Sequence, residues 1–254
     1  MAKVEYQAQA GIEIAALKKK GTGEVDLMRP GNGTPWEDRG TLGGLIAYFK
    51  TALKSLFSPG LLMDHIRRPE TTGDASSFAV VSAVMWIIGV ALWRVWNYRQ
   101  ITASNSPFDV DPTHYWMTTG LICLVAAGAV WLWLRVGTSL YAKLAAMEMR
   151  NATPSLTYNL FAYSLGPSIL AVVPVFGQGV AMLWIFVDLV VAGKTRLYMK
   201  ATSAFINALI IMICAILIAA VFYYVVGVLI WHKALSMDGV DLKTQTTVTG
   251  QVIH

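Results

Sequence analysis

One carboxylate, Asp188, lies inside a long apolar stretch of the chain, in "WIFVDLVVAGK". An ionisable side chain within a membrane-spanning segment is a candidate proton or ion site, because a charge there is costly without a role or a partner. Two structural alternatives stay open. Asp188 precedes Lys194 and Arg196 by one to two helical turns, where it can pair or reach the membrane interface, and Asn207 in the next apolar stretch can hydrogen-bond to it across helices.

A second candidate is the stretch "AYSLGPSILAVVPVFGQG", which places Gly166, Pro167, Pro174 and Gly177 within one apolar segment. Proline removes a backbone hydrogen bond and crowds the preceding turn, so Gly166-Pro167 predicts a kink inside a membrane helix. The residues from Pro174 to Gly179 predict the short turn of a helical hairpin. Broken helices at mid-membrane also form ion and substrate sites in transporters.

Nothing else in the sequence has the spacing of a catalytic or metal centre. There is no Ser-His-Asp set, phosphate-binding loop or dinucleotide fingerprint. The histidines are scattered without a second ligand at metal-binding spacing, and both cysteines lie in apolar runs, at His65, His114, His232, His254, Cys123 and Cys214. We therefore expect no enzyme, no metal site and no cofactor.

The composition is that of a membrane protein. Of 254 residues, 56% are hydrophobic and 14% charged, with a mean hydropathy of +0.53, whereas about a quarter of the residues of a soluble domain are charged. The net charge of +5 comes from basic residues beside apolar runs, where they set topology and contact anionic lipid. Membrane lipids rather than nucleic acid are therefore the expected partners.

Five apolar blocks predict an all-α bundle of five transmembrane helices. They run over 76–97, 115–136, 158–173, 175–192 and 204–231. Residues 137–150 predict either a continuation of the second span or a separate interfacial helix. The chain divides into a flexible or partner-docked tail (1–40), an interfacial helix with a linker (41–75), the bundle (76–231) and a polar C-terminal tail (232–254).

The segment before the first span predicts an amphipathic helix lying in the membrane interface. Phe49, Leu53 and Phe57 recur at helical spacing on one face. Lys50 and Lys54, together with Thr51 and Ser55, are placed on the other face. The segment is too short and too basic to span, and Pro59-Gly60 ends it.

The distribution of Lys and Arg predicts the orientation. Ten precede the first predicted span, whereas the loop before the second contains only Arg99. Since cytoplasmic loops are rich in basic residues, the N-terminus is expected inside and the C-terminus outside. A bacterial inner membrane is the expected location, with the C-terminus periplasmic, and a Golgi or endoplasmic reticulum membrane is the alternative.

The order of short motifs resembles the Yip-domain membrane proteins, named for Ypt-interacting proteins, and in particular their bacterial members. The resemblance covers roughly residues 35 to 233 and rests on "PWEDRG", "AYFKTALKSLFSPGLLMDHIRRP", the stretch from Ala162 to Lys194, and "MKATSAFINALI". It implies a helical bundle without catalysis. Eukaryotic relatives are implicated in binding prenylated GTPases, but the Asp-Leu-Tyr-Gly-Pro signature before the first span is absent here, so small GTPase binding is not expected.

Two functions follow as hypotheses. The first is a non-catalytic scaffold, adaptor or accessory subunit of a larger membrane assembly, or a protein that organises the membrane, with other membrane protein subunits as partners. The alternative is a transporter of ions or small solutes that uses the broken third span and Asp188.

Overall fold

The computed structural model describes residues 30–103, 112–148 and 152–237. These residues form eight α-helices and one 3₁₀ helix, and contain no strand. In chain order the elements are α1 (Arg39–Leu42), α2 (Gly44–Phe57), α3 (Pro59–Asp64), α4 (Gly73–Ala103), α5 (Pro112–Glu148), α6 (Pro154–Tyr163), the 3₁₀ helix (Gly166–Val172), α7 (Gly177–Thr195) and α8 (Ala201–Met237).

Within the described ranges, four helices are long and apolar enough to cross a membrane. They are Gly73–Ala103, Tyr115–Glu148, Gly177–Thr195 and Ala201–Phe222. The all-α, multi-pass membrane class is therefore confirmed. The second of these helices continues without a break to Glu148, so residues 137–148 extend α5, which was one of the two alternatives that the sequence left open.

The third predicted span is not a continuous α-helix. It consists of α6 followed by the 3₁₀ helix, and residues 154–172 are called the broken segment below. Thr153 caps its start by accepting a hydrogen bond from the Leu156 amide at 3.3 Å. Pro167 has no N–H to donate to the carbonyl of Tyr163, and its ring would collide with that carbonyl. The α-helix therefore ends at Tyr163, and a change of helix type replaces the predicted kink.

The reversal after the broken segment is tighter than predicted. Pro174 to Phe176 form the turn, and α7 already begins at Gly177. The Phe176 amide donates to the Pro174 carbonyl at 2.9 Å, which forces Val175 to a φ of 72°. A positive φ is unusual for a β-branched residue, and the strain reflects how few residues are available to reverse the chain.

The long helices form a ring that the broken segment closes. α4 packs on α5, α5 on α8 and α8 on α7, while the 3₁₀ helix lies between α7 and α4. The closest approach is at Gly89 of α4, where an added Cβ would overlap the carbonyl oxygen of Ala171. Only glycine at this position lets the two backbones meet.

The described residues before α1 belong to the folded structure. The Trp36 indole donates to the Asp74 carbonyl at 2.8 Å, and Arg39 pairs with the Asp74 carboxylate at 2.6 Å. Trp36 is buried and stacks against Tyr48 and Phe78. The Gly31 amide donates to the Ile66 carbonyl at 2.7 Å, so the folded structure begins about ten residues before the predicted end of the tail at residue 40. Residues 1–29 lie outside the described part.

Replacing Gly89 by alanine tests the closure of the ring. The added methyl group must displace the 3₁₀ helix, so we expect Gly89→Ala to lower the free energy of unfolding by about 1–3 kcal/mol. Gly128 of α5 has no neighbour within 4 Å of an added Cβ, so Gly128→Ala should be neutral or raise stability by up to about 1 kcal/mol. Melting temperatures in detergent compare the two, and equal values would contradict the close approach.

Candidate functional site

Asp188 meets α2 at the start of the 3₁₀ helix, and the group formed by Ser55, Gly166 and Asp188 is called the polar junction. Asp188 is completely buried, and the Ser55 hydroxyl donates a hydrogen bond to its Oδ2. A Cβ added at Gly166 would lie 2.6 Å from the Ser55 Cβ and 3.3 Å from the Ala52 Cα. Glycine at the break therefore allows α2 to approach closely enough for this bond.

The face that α2 turns inward differs from the predicted one. Its buried residues are small or polar, apart from one tyrosine, and comprise Ala47, Tyr48, Thr51, Ala52 and Ser55. The sequence pattern grouped Thr51 and Ser55 with the lysines on a face opposite the apolar one, but the structure buries both against the bundle. Thr51 satisfies its hydroxyl within the helix by donating to the Ala47 carbonyl at 2.8 Å, whereas Ser55 bonds across to α7.

The buried carboxyl is not held by the predicted partner. Its hydrogen bond comes from Ser55, 133 positions away in sequence, and not from Asn207, which lies on α8 and is itself almost fully buried. No part of Asp188 is exposed, so the protein encloses its carboxyl on all sides. Within the described part of the chain its Oδ1 has no hydrogen-bond partner, so the bond from Ser55 is the polar contact that offsets its burial.

Two further contacts fix α2 and α3 along α7. The Trp184 indole donates to the Leu56 carbonyl at 3.0 Å, which satisfies one of the free carbonyls at the end of α2. One turn beyond, a Cβ at Gly60 of α3 would lie 3.4 Å from the Thr195 methyl group. The helix pair is therefore held against α7 from Trp184 to Thr195, with Asp188 between these contacts.

The residues predicted for the membrane interface stay on the outside of α2. Phe49, Leu53 and Phe57 are exposed, as is Lys50, while Lys54 is half-buried. By helical spacing the two lysines lie along the edge between the exposed apolar face and the buried face. The outward-facing set also includes Leu45, which is 70% exposed, and Ile46.

The two proline-containing features of the broken segment lie at opposite ends of the 3₁₀ helix. Gly166 and Pro167 begin the 3₁₀ helix. Gly166 belongs to the polar junction, and Pro167 adjoins it. Pro174 and Gly177 follow its other end, where a Cβ at Gly177 would overlap the Leu170 carbonyl oxygen. The structure thus brings Gly166 to Asp188 and leaves the hairpin turn apart from it.

Sequence reasoning missed the contacts of the N-terminal segment with the broken segment. Thr34 is fully buried, and its hydroxyl donates to the Tyr163 hydroxyl at 3.3 Å. Tyr163 stacks on Phe78, which also contacts Trp36 and Tyr48. Burial raises the pKa of the Tyr48 phenol, which stays neutral. The sign of these contacts in the sequence was Trp36, a large aromatic residue within the otherwise polar stretch "PWEDRG".

No metal-binding arrangement is found among the described residues, in which no three His, Cys, Asp or Glu side chains cluster. No protein-family model matches the chain, and neither a curated protein nor a solved structure shows significant similarity to it. The polar junction therefore has to be interpreted from its own chemistry. A fully buried carboxyl that accepts a hydrogen bond from a serine on α2 is an arrangement that holds this short helix in place.

A double-mutant cycle tests whether Ser55 and Asp188 act together. Ser55→Ala removes the donor that bonds a buried carboxyl and should cost about 1–3 kcal/mol of unfolding free energy. Asp188→Ala should also destabilise, but the double variant should lose less than the sum, with a coupling energy of about 0.5–3 kcal/mol. Unfolding by SDS titration in mixed micelles measures all four proteins.

Thr51→Ala is the matched control for this cycle. Thr51 lies one turn before Ser55 on the same buried face, but its hydroxyl bonds within α2. Its loss should therefore be additive with Asp188→Ala. Additivity of Ser55→Ala with Asp188→Ala would show instead that the two side chains do not interact.

Proposed function

We propose that the chain is a non-catalytic integral membrane protein that acts as a scaffold, adaptor or accessory subunit of a membrane assembly, or organises the membrane itself. This proposal rests on the way α2 packs on the bundle. The face of α2 that carries mostly small residues packs on the bundle at the polar junction, while the large apolar side chains of α2 point away from the protein. The fixed helix would present a rigid apolar surface to the membrane.

The outward face of α2 and α3 suits the boundary between lipid headgroups and acyl chains. Leu45, Phe49, Leu53, Phe57 and Leu61 form an exposed apolar surface, and a contiguous surface of this kind marks a membrane or protein contact. Lys50 and Lys54 at its edge can extend their amines toward headgroups while their stems stay in apolar surroundings. We infer that α2 lies in the interface of the inner leaflet.

The contacts of the broken segment with α4 support a fifth membrane crossing. Near the start of α6, the Ser76 hydroxyl donates to the Tyr158 hydroxyl at 3.0 Å, and Ala171 lies against Gly89. Between Ser76 and Gly89, α4 rises by about 20 Å, which is most of a hydrocarbon core of about 30 Å. The broken segment follows α4 over this depth, so we count it as a span.

Five crossings would put the two termini on opposite sides of the membrane, and the basic residues before the first span favour an N-terminus inside and a C-terminus outside. A bacterial inner membrane is the location that we propose, with Golgi or endoplasmic reticulum membranes as the alternative. Membership of the Yip-domain family is part of this proposal. It rests on the residues that carry the resemblance, among which Trp36, Tyr163 and Trp184 make hydrogen bonds around α2 and the broken segment.

The transporter alternative has one observation in its favour, which is that the helix break and Asp188 meet at the polar junction. Against it, α2 covers the carboxyl on the side of the break, and Asp188 does not line the apolar cavity between the spans. A solute would need α2 to leave before it could reach the carboxyl.

Extraction of the full chain in mild detergent, followed by native mass spectrometry, tests the scaffold proposal. We expect a second protein to remain bound to the full chain. Because packing onto the bundle begins near residue 30, deletion of residues 1–29 should keep the folded bundle and remove most of this partner if the N-terminal tail is the docking arm. A chain that elutes alone as a monodisperse monomer would contradict the proposal.

Spin labels test the position of α2 in the membrane. Both native cysteines are replaced by alanine, and single cysteines are placed at Leu53, at Leu124 and at Glu70. Leu124 is 71% exposed on α5 and serves as the lipid reference, while the exposed Glu70 in the linker serves as the aqueous one. The Leu53 label should resemble that at Leu124, with collisions dominated by oxygen rather than by a water-soluble nickel chelate. A label at Leu53 that behaves like the one at Glu70 would place α2 in water.

A further inference from the structure

A cavity of about 350 Å³ lies inside the ring of α4, α5, α7, α8 and the 3₁₀ helix. Its walls include Trp86 of α4, Ala126 of α5 and Ala219 of α8. Apart from Ser168 and Gln178, every side chain that lines it is aliphatic, aromatic or a methionine. A volume of this size is typical of a ligand site, for which about 300 Å³ is the lower end.

The cavity occupies the end of the bundle away from the polar junction. Gln178, in the first turn of α7, contributes to its lining, whereas Asp188 lies ten residues further along the same helix, or about 15 Å away along the axis. The cavity therefore lies at the depth of the hairpin turn and the outer half of the spans. Leu165 and Ser168 of its lining adjoin Gly166 and Pro167, but none of Ser55, Gly166 and Asp188 lines it.

The chemistry of the walls decides what can fill this space. Water needs two to four polar partners to be stable in a cavity, and the walls offer few. An empty apolar space forfeits the dispersion contacts of all the side chains around it. Ala219 lines the cavity and is also exposed at the surface of α8, so the cavity opens toward the medium around the helices. In a membrane that medium consists of acyl chains.

We propose that one acyl chain of a membrane phospholipid enters beside α8 and fills this cavity. Gln178 fits this occupant, because its amide is placed in the first turn of α7, at the edge of the apolar layer. There the amide can donate to an ester carbonyl of the lipid while the chain extends between Trp86 and Ala126. The lipid then completes the packing of α4, α5, α7 and α8 as a structural ligand, whether or not the protein is a scaffold.

Photolabelling in vesicles tests the site. The full chain is reconstituted into phosphatidylethanolamine and phosphatidylglycerol with a trace of a phospholipid that carries a diazirine near the end of one acyl chain. After irradiation, labelled peptides are mapped by mass spectrometry. We expect label on cavity residues, with Met182 and Trp86 as the markers, in addition to label at the exposed Leu124, which reports general contact with lipid.

Two neighbouring alanines of α8 provide a matched pair of variants. Ala219 and Ala220 are both exposed, but only Ala219 lines the cavity. Ala219→Phe should reduce label at Met182 and Trp86 to background, whereas Ala220→Phe should leave it unchanged, with label at Leu124 equal in both. Ala126→Phe, on the opposite wall, should act like Ala219→Phe and replaces it if that variant does not fold.

Three results would overturn the proposal. The first is label at Leu124 but none at cavity residues in the unaltered chain. The second is cavity label that persists in both Ala219→Phe and Ala126→Phe. The third is cavity label from a diazirine-bearing free fatty acid but none from the phospholipid, since this would assign the site to a different occupant.

Discussion

The close approach of α2 to the break in the third apolar segment is the contact on which the rest of the structure depends. Pro167 ends α6 at Tyr163 and turns the chain into a 3₁₀ helix. Gly166 then offers a surface without a side chain, so that Ser55 and Ala52 come within van der Waals contact of the backbone. This closeness allows the Ser55 hydroxyl to meet the Asp188 carboxyl, which would otherwise be buried without a partner among the described residues. The helix break at Pro167, the close approach at Gly166 and the bond between Ser55 and Asp188 therefore depend on one another.

The contact between α2 and the helix break separates two halves of the bundle whose interiors are filled differently. On the side of α2, the interior is filled by aromatic rings from α2, α4, α6 and the segment before α1. Trp36, Tyr48 and Phe78 contact one another, and Tyr163 stacks on Phe78. On the side of the hairpin turn none of the described helices fills the ring, and a cavity of about 350 Å³ remains between α4, α5, α7 and α8. The 3₁₀ helix separates the two halves. Close packing is the normal state of protein interiors, and the acyl chain that we propose would restore it in the second half.

The sequence was sufficient for what depends on local pattern and not for what depends on distant contacts. Hydropathy located α4, α5, α7 and α8 because a span is a continuous property of about twenty residues. It also marked Pro167 and Pro174 as interruptions, although neither the change from α to 3₁₀ geometry nor the close approach of the segment to Gly89 and Ser55. Small polar residues such as Thr51 and Ser55 look the same in a pattern whether they face water or a glycine on another helix. The partner of Asp188 was missed for this reason, because it lies on an element that appeared to face water.

A disulfide cross-link between α3 and α7 in native membranes tests directly whether α2 and α3 dock on the bundle. In a chain without Cys123 and Cys214, cysteines replace Gly60 and Thr195, where a Cβ added at Gly60 would lie 3.4 Å from the Thr195 Cγ2. Because Cγ2 is one bond from the Thr195 Cβ, the two Cβ atoms lie within about 5 Å, near the separation of about 3.5–4.5 Å in a disulfide. Leu61, the next residue, is exposed, and its cysteine paired with that at Thr195 is the control. We expect efficient cross-linking between cysteines at Gly60 and Thr195 and little between cysteines at Leu61 and Thr195. Equal cross-linking of the two pairs, or none in either, would contradict the docking of α2 and α3 on the bundle.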